Sequence, residues 1–342
     1  MKAIALISGG LDSILAARMV KEQGVEVIPL NFTFPFCSRA KEGPIPKSDK
    51  FSLVREALGQ DLMTTDISSE YLSLLNKPKH GFGSNLNPCI DCKILMLRKT
   101  KELMREWDAS FAITGEVLAQ RPMSQHRKAL KIIEIESGLE GYLLRPLSAK
   151  MLEETIPEKE GWVRRDALLD FNGRSRKPQR ALAQALSIVN YPNAAGGCLL
   201  TDPLFAQRLK DLIGHGELTL ENVALLKIGR HFRISENAKL IVGRNEKENE
   251  ELIKLSRKGD YLFSPPEDRA GPVSLARGGD ISSDLIALCA RITPMYCDEN
   301  TLSESRILYK DVSAEDKDAP QKEYQALVVS GITKDELARL KI

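Results

Sequence analysis

Ser8-Gly9-Gly10-Leu11-Asp12-Ser13 follows the apolar run 2–7 and precedes an amphipathic stretch with Ile14, Leu15 and Val20 on one face and Arg18, Lys21 and Glu22 on the other. This pattern predicts a strand, a tight glycine-rich turn and a helix starting near Asp12. Without Cβ atoms at Gly9 and Gly10, successive N–H groups can point inward at an anion, and the helix N-terminus adds its partial positive charge. Phosphate is the anion such a cradle takes, with the Ser13 hydroxyl as a further donor. The spacing is neither G-x-x-x-x-G-K-[ST] nor G-x-G-x-x-G. A carboxylate beside phosphate, as at Asp12, calls for Mg²⁺ between them.

Cysteine spacing carries the second chemical signal. Asn87-Pro88-Cys89-Ile90-Asp91-Cys92-Lys93 sets two thiols three residues apart at the start of a helix, where both sulfurs can reach one metal or each other. A helix N-terminus also lowers thiol pKa, favouring the thiolate that binds metal or attacks sulfur. A zinc half-site, a dithiol redox pair and part of an iron–sulfur cluster all match the pair, but no second C-x-x-C is present to close a structural zinc site. Cys198 follows Gly196 and Gly197, which allow close backbone approach. Cys89, Cys92 and Cys198 are therefore the candidate metal ligands and catalytic thiols, three donors that leave one position open. Cys37 falls in the loop after the second apolar run, Cys297 is isolated, and Cys289, beside Leu285-Ile286-Ala287-Leu288, reads as a buried small hydrophobe.

The elements that position these residues follow from the apolar pattern. Up to about residue 150, strand runs (25–34, 61–67, 111–114 ending at Gly115, 142–144) alternate with helical stretches (48–58 and 88–107). Such alternation predicts an α/β fold with a doubly wound parallel sheet, whose ligands sit at the carboxyl ends of the strands. Residues 160–220 read as irregular, with a basic stretch (Arg174, Arg176, Lys177, Arg180) and a helix after Pro203. Beyond Glu221, short strands (238–242, 261–263, 326–330) mix with helical stretches (246–256, 283–292 and from Thr333), a smaller α+β domain. The expected division is 1–215 and 221–342. A chain of 342 residues with 42% hydrophobic content is long enough for both. Its 49 Lys and Arg against 47 Asp and Glu select no partner by net charge, so nucleic acid requires local clustering. No stretch approaches the ~18–20 apolar residues that span a membrane, and the N-terminus reads as a strand rather than a signal peptide. A cytoplasmic location is expected, where the six cysteines are not expected to form disulfides.

The Ser8–Ser13 loop resembles the SGGxDS loop of the ATP pyrophosphatase (PP-loop) superfamily, which has an adenine nucleotide alpha hydrolase-like domain and cleaves ATP between the α- and β-phosphates to adenylate a substrate. Thr114-Gly115-Glu116-Val117-Leu118-Ala119-Gln120, then Ser124-Gln125 and Leu144-Arg145-Pro146-Leu147, resembles the pattern of tRNA 4-thiouridine synthetases, with Ala119 standing where that pattern has its second Gly. Asn87-Pro88-Cys89 and Gly197-Cys198 are similar to the two cysteine positions of the tRNA 2-thiouridylases. The Cys89, Cys92, Cys198 set resembles the PP-loop tRNA thiolases that hold a 4Fe–4S cluster with one iron free. Gly229-Arg230, Val242-Gly243-Arg244-Asn245, Gly271-Pro272 and Arg277-Gly278 resemble the RNA-binding domain of NFACT proteins.

These resemblances imply a two-step tRNA thiolation. ATP sits on Ser8, Gly9, Gly10, Leu11, Asp12 and Ser13 with Mg²⁺, its base near Asn31 and Phe32, and Gly115, Gln120 and Arg145 complete the pocket. The uridine carbonyl oxygen attacks the α-phosphate, and sulfur then displaces AMP. The sulfur comes from sulfide on a 4Fe–4S cluster held by the three cysteines, or from a persulfide on Cys89 or Cys92 that Cys198 resolves. The implied partners are tRNA and a sulfide or persulfide carrier, with a homodimer allowed. The THUMP domain of 4-thiouridine synthetases and the β-barrel of 2-thiouridylases are not read here, so RNA capture is expected from the C-terminal domain through Lys227, Arg230, His231, Arg233, Lys239 and Arg244. Two alternatives stand. A 7-cyano-7-deazaguanine synthase also begins SGGLDS but groups four zinc cysteines near its C-terminus, and a non-catalytic RNA-binding adaptor would keep only the second domain's role.

Overall fold

Side-chain alternation along Lys2–Leu6 (β1) organises the N-terminal half. Ala3, Ala5 and, past the strand's end, Ile7 turn to one face and Ile4 to the other, all almost wholly buried. That is the requirement on a central strand covered by helices on both sides. In a computed structural model that describes residues 1–36, 49–189, 191, 198–297, 304–312 and 324–342, the chain divides into two compact units, Met1–Asp202 and Pro203–Ile342. Cys37, Gly196 and Gly197 lie outside the described residues.

The first unit adds Glu26–Thr33 (β2), Met63–Asp66 (β3), Phe111–Thr114 (β4) and Leu143–Leu144 (β5) in the order β3-β2-β1-β4-β5, every pair parallel. Its helices are Leu11–Lys21 (α1), Asp49–Leu58 (α2), Ser68–Asn76 (α3), Cys89–Glu106 (α4), Arg127–Ser137 (α5), Ile156–Lys159 (α6) and Lys177–Ala185 (α7). Side chains of α1, α2 and α7 cover the Ala3/Ala5 face, and those of α4 and α5 cover the Ile4 face. This is the doubly wound parallel sheet expected. The chain winds outward from β1 to β3 and then from β4 to β5, so the carboxyl ends of β1 and β4 flank the switch point where such folds bind ligands. Helix α7 lies inside the segment read as irregular. Pro178 stands in its first turn and Ala183 is buried, so the basic stretch there runs into a short packed helix.

The second unit is a six-stranded sheet of Arg230–Ser235 (β6), Ala238–Val242 (β7), Tyr261–Ser264 (β8), Ser274–Gly278 (β9), Ser305–Asp311 (β10) and Gln325–Val329 (β11), in the order β11-β10-β8-β9-β7-β6 with antiparallel pairing. Its helices are Pro203–Gly214 (α8), Leu220–Leu225 (α9), Glu246–Leu255 (α10), Ser283–Ile292 (α11) and Lys334–Leu340 (α12). Phe232, Leu240 and Ala276 face α11, while Ile241 and Leu275 face α9 and α10. Cys289 on α11 is fully buried in this core, and burial pushes its thiol pKa up. Helix α8 groups with this unit rather than ending the first, because its Asp211 carboxylate accepts from Arg233 and pairs with Lys239.

That pairing corrects the expected RNA-facing basic set. Arg233 also makes two bonds to Glu217 at 2.8 and 3.0 Å, Arg244 is bonded to Glu248, and Arg230 lies over the Tyr296 ring and donates to Gly243 O. His231 and Lys239 are buried. Alternation puts residues 231, 233 and 239 on a covered sheet face, where a cation needs an anion from the protein itself. Asp211→Asn leaves the buried Lys239 without its carboxylate, while Arg233 keeps Glu217, and is expected to lower stability by about 3 kcal/mol, while Arg244→Ala, at a half-exposed pair, stays within about 1 kcal/mol. Urea unfolding followed by far-ultraviolet circular dichroism measures both.

Candidate functional site: a phosphate cradle and three neighbouring thiols

At the end of β1 the chain turns through Gly9, in the left-handed region at φ +83°, into α1, which Gly10 caps without a side-chain bond. The loop is tied to itself. Ser13 Oγ accepts from Ser8 N at 3.3 Å and donates to Gly10 O at 2.8 Å, while Gly10 N donates to Ser8 Oγ at 3.3 Å. The Ser13 hydroxyl, expected as a phosphate donor, instead holds the loop's shape. Leu11 offers only its backbone, since its side chain is fully buried. Asn31 Nδ2 donates to Ile7 O at 2.6 Å, fixing the end of β1 against β2.

Across the switch point, β4 ends against this loop. A Cβ at Gly115 would stand 2.4 Å from Ser13 N and 2.5 Å from Asp12 O, so only glycine lets the strands' ends approach so closely. Gln120 Nε2 donates to Asp12 Oδ2 at 3.0 Å, and Asp12 Oδ1 is buried without a partner. A carboxylate oxygen oriented by an amide and otherwise bare is suited to a hard cation.

Glu116, next to Gly115, is buried. Burial raises its pKa, but Lys93 and Arg145 outweigh that and hold it down at about 2. Lys93 Nζ bonds Oε1, Arg145 Nε donates to Oε2 at 3.0 Å, and Thr114 Oγ1 donates to Oε2 at 3.1 Å. Arg145 also donates to Glu134 Oε2 at 3.0 Å and is only 4% exposed. It therefore anchors the carboxylate, and the expectation that it completes the nucleotide pocket is corrected: a guanidinium bonded to two carboxylates inside the fold does not face a ligand. Phe32, expected beside the base, is likewise a core residue, clustered with Leu30 and Ile94.

Cys89 and Cys92 stand in the first turn of α4, which starts at Cys89, and Cys198 is near enough to Cys92 to act on its charge. Asp91, buried in the first turn, accepts from the backbone of Lys79 and His80, both at 3.0 Å, pinning the preceding loop. Two bonds bring the distant turn at 198–201 to this helix start: Leu86 N to Leu200 O at 3.2 Å and Asn85 Nδ2 to Thr201 O at 2.8 Å. Cys198 Sγ donates to Phe36 O at 3.5 Å. The Phe36 ring packs on Tyr71, with centroids 5.5 Å apart, and Tyr71 stacks on Phe34 at 4.4 Å. The Tyr71 hydroxyl is buried beside the Cys92 thiol, and its pKa is raised by burial and by the neighbouring Cys92, Cys198 and Cys89. Burial also pushes Cys92 up to about 12, with Cys198 and Cys89 adding to it and Tyr71 and Lys93 opposing. The lowering expected of a helix N-terminus is thus outweighed at Cys92. Among the described residues, no three His, Cys, Asp or Glu side chains are grouped to hold one metal ion.

Glu116, Lys93 and Tyr71 were not singled out for a role by sequence reading. The first two adjoin the Thr114-Gly115 and Cys89/Cys92 motifs, whereas Tyr71 sits in an unremarkable helix. Ala119, which replaces a glycine of the resembled pattern, has φ +59°, a strained angle for alanine. Ala119→Gly is expected to raise stability by about 0.5–1 kcal/mol, strain relief exceeding the entropy of a glycine, read as an upward shift in a thermal melt. For Glu116 the sign follows from its lowered pKa. Its contribution is complete above the unfolded value near 4.3 and disappears as pH falls through about 2. Wild type is expected to lose about 3 kcal/mol over that interval that Glu116→Gln does not lose, as urea titrations from pH 6 to pH 2 would resolve.

Residues 1–157 match the family model described as thiamine biosynthesis protein (ThiI), and residues 229–338 match the NFACT protein RNA binding domain. A probable tRNA sulfurtransferase of Thermococcus kodakarensis is 27% identical over 157 residues, which cover 45% of this chain and 39% of that one. A tRNA-specific 2-thiouridylase of a Thermoanaerobacter species is 27% identical over 229 residues, 62% of this chain and 60% of that one. A 7-cyano-7-deazaguanine synthase of Sulfurimonas denitrificans is 51% identical over only 41 residues, 12% of this chain. The chain thus spans less than two thirds of the curated relatives it matches. By motif, sheet order and family match, residues 1–157 resemble the ThiI family of PP-loop tRNA sulfurtransferases, and residues 229–338 resemble an NFACT RNA-binding domain joined to them in one chain.

Proposed function

We propose that the protein thiolates a uridine of tRNA in two half-reactions, both in the first unit. The reading rests above all on one observation: Gly115 packs on Asp12 and Ser13 while its neighbour Glu116 bonds Lys93, the residue after Cys92. The phosphate cradle and the thiols are thereby held by a single buried link. In the first half-reaction the backbone of Ser8–Ser13 holds the phosphates of ATP. The uridine carbonyl oxygen bonds to the α-phosphorus, and pyrophosphate leaves. Asp12 Oδ1, oriented through Gln120, is the oxygen that would hold Mg²⁺, which would supply charge neutralisation on the leaving group.

In the second half-reaction the terminal sulfur of a persulfide on Cys92 or Cys89 bonds to the activated base carbon as AMP leaves, giving an enzyme–base disulfide. The Cys198 thiolate then attacks the enzyme sulfur of that bond. This releases the thiolated base and leaves a protein disulfide that an external dithiol reduces. The same three thiols fit a 4Fe–4S cluster in donor kind and number. Each thiolate of such a cluster binds a different iron, so the three need not converge on one ion, and a free iron would supply a site for exogenous sulfide. The 7-cyano-7-deazaguanine synthase reading is supported only over a short segment, and the clustered zinc cysteines it needs are not in the sequence.

Cys198→Ala is expected to release pyrophosphate from ATP and bulk tRNA at a rate within a few fold of wild type, yet to yield no thiolated nucleoside by mass spectrometry. Iron, sulfide and zinc analysis after anaerobic purification separates the two sulfur routes. Bound zinc without iron removes the cluster. Pyrophosphate release that needs a deazaguanine acid instead of RNA removes the thiolation reading.

A further inference from the structure

Charge is spread unevenly along the first unit. The chain has 47 Asp and Glu in 342 residues, yet none falls between Val117 and Ile133 or between Phe171 and Thr201. Arg121, Arg127, Lys128, Arg174, Lys177 and Arg180 stand in those two stretches, and all six are exposed. None of the six has an ion-pair partner among the described residues. Lys93, Arg145 and Arg165 in the same unit, by contrast, are each bonded to a carboxylate. A chain of near-zero net charge thus conceals two stretches of one sign.

The fold brings these stretches together. Leu118 forms a parallel bridge with Asn172, and Gly173 N donates to Leu118 O at 2.8 Å. Fully buried Ser148 clips the pair, its Oγ accepting from Leu118 N at 2.9 Å and donating to Phe171 O at 2.6 Å. Ala119 N donates to Gln125 O at 2.7 Å, which closes the loop that carries Arg121. Gln120, the residue before Arg121, donates to Asp12 in the phosphate cradle. The cationic face therefore begins beside the cradle, beyond the carboxyl end of β4.

Helix electrostatics makes the arrangement unfavourable for the protein alone. Arg127 and Lys128 open α5, Lys177 and Arg180 fall in the first four residues of α7, and neither first turn holds an acidic residue. Cations oppose the partial positive charge of a helix N-terminus, where Asp or Glu would add stability. Exposed positions accept either sign, so folding does not explain the choice. An external polyanion does, since it supplies the anions that the fold withholds. Four of the six are Arg, which meets phosphate with a fork of donors. Six cations on two segments exceed what one small phosphate ligand requires and suit a row of phosphates.

We propose that this face holds the phosphate backbone of the RNA substrate along the rim of the cradle. It lies in the first unit, outside residues 229–338, so the unit that activates the base also grips the strand that carries it. The proposal rests on the thiolation reading, which brings RNA to this unit.

Fluorescence anisotropy of labelled bulk tRNA with the full chain, without ATP and between about 50 and about 200 mM salt, tests it. Two triple variants are compared, Arg174→Glu with Lys177→Glu and Arg180→Glu, and Arg121→Glu with Arg127→Glu and Lys128→Glu. Each is expected to weaken binding by about tenfold or more and to lower the salt slope by about 2–3. Their melting temperatures are expected to hold or rise, because acids replace cations at the starts of the helices. Arg105→Glu with Lys159→Glu, at exposed positions outside both stretches, is expected to change affinity by less than about twofold. No binding by wild type, or affinity and salt slope that both triple variants leave at wild-type values, overturns the proposal. So does a comparable loss in the Arg105/Lys159 variant. Unchanged tRNA affinity with a raised KM for ATP assigns the cations to the nucleotide and overturns it too. Binding is read without ATP or a sulfur donor, so pyrophosphate release that ignores RNA removes the thiolation reading without altering this result.

Discussion

A carboxylate buried between two cations determines how the first unit's site is assembled. Glu116 receives Lys93 from α4, and Arg145 beyond β5, while Gly115 beside it lies against the turn after β1. Taking three charges out of water costs several kcal/mol per ion before their attraction repays it, so an apolar trio of similar volume would serve packing equally well. What the ionic trio adds is geometry. A carboxylate with two lone-pair directions on each oxygen fixes where α4 stands relative to the end of β4, and hence where Cys89 and Cys92 stand relative to Ser8–Ser13. An apolar contact permits sliding that this network does not.

The second unit uses the same device for a different end. The largely covered Asp211 accepts from Arg233 and pairs with Lys239, and the buried Asp260 accepts from Arg277 three times over distances of 2.6–3.1 Å. Here the anions sit behind a row of cations instead of between two elements of a site. The charge row is neutralised as a whole, Arg233 by Asp211 and Glu217, Lys239 by Asp211 and Arg277 by Asp260. A basic sequence stretch therefore does not translate into an external basic surface when its residues alternate along a strand: every second one points inward and must find its anion within the fold.

This explains what could be read from the sequence and what could not. The parallel sheet was legible because β1, β2 and β4 are apolar runs bounded by turns, and both faces of a covered strand must be apolar. The cradle was legible because only glycine permits its backbone, and the Cys89/Cys92 pair because spacing fixes a helical face. Roles that depend on tertiary partners were not. Arg145 sits in a motif that resembles a nucleotide-binding pattern, but only the fold places Glu116 and Glu134 around it. Phe32 follows Asn31 in β2, and strand alternation sends the one into the core while the other reaches Ile7 O. Helices α3 and α7, of nine residues each, are not legible because in short helices packing of a few residues outweighs propensity. With α3 went Tyr71, whose significance lies in the thiols around it.

Lys93 stands where the two half-sites compete. Its ammonium favours the Cys92 thiolate, and it also bonds Glu116. Pairing with a carboxylate neutralises much of the field a cation exerts on a neighbour, so Lys93 gives Cys92 less than an unpaired lysine would. Burial and the two adjacent thiols then prevail, and Cys92 rests as a thiol despite its place in the first turn of a helix. Of the groups that push the other way, Tyr71 is neutral and held by its stack on Phe34, and Lys93 is committed to Glu116. Burial and the adjacent thiols therefore keep Cys92 protonated, and the ion pair that positions α4 leaves Lys93 little field with which to oppose them.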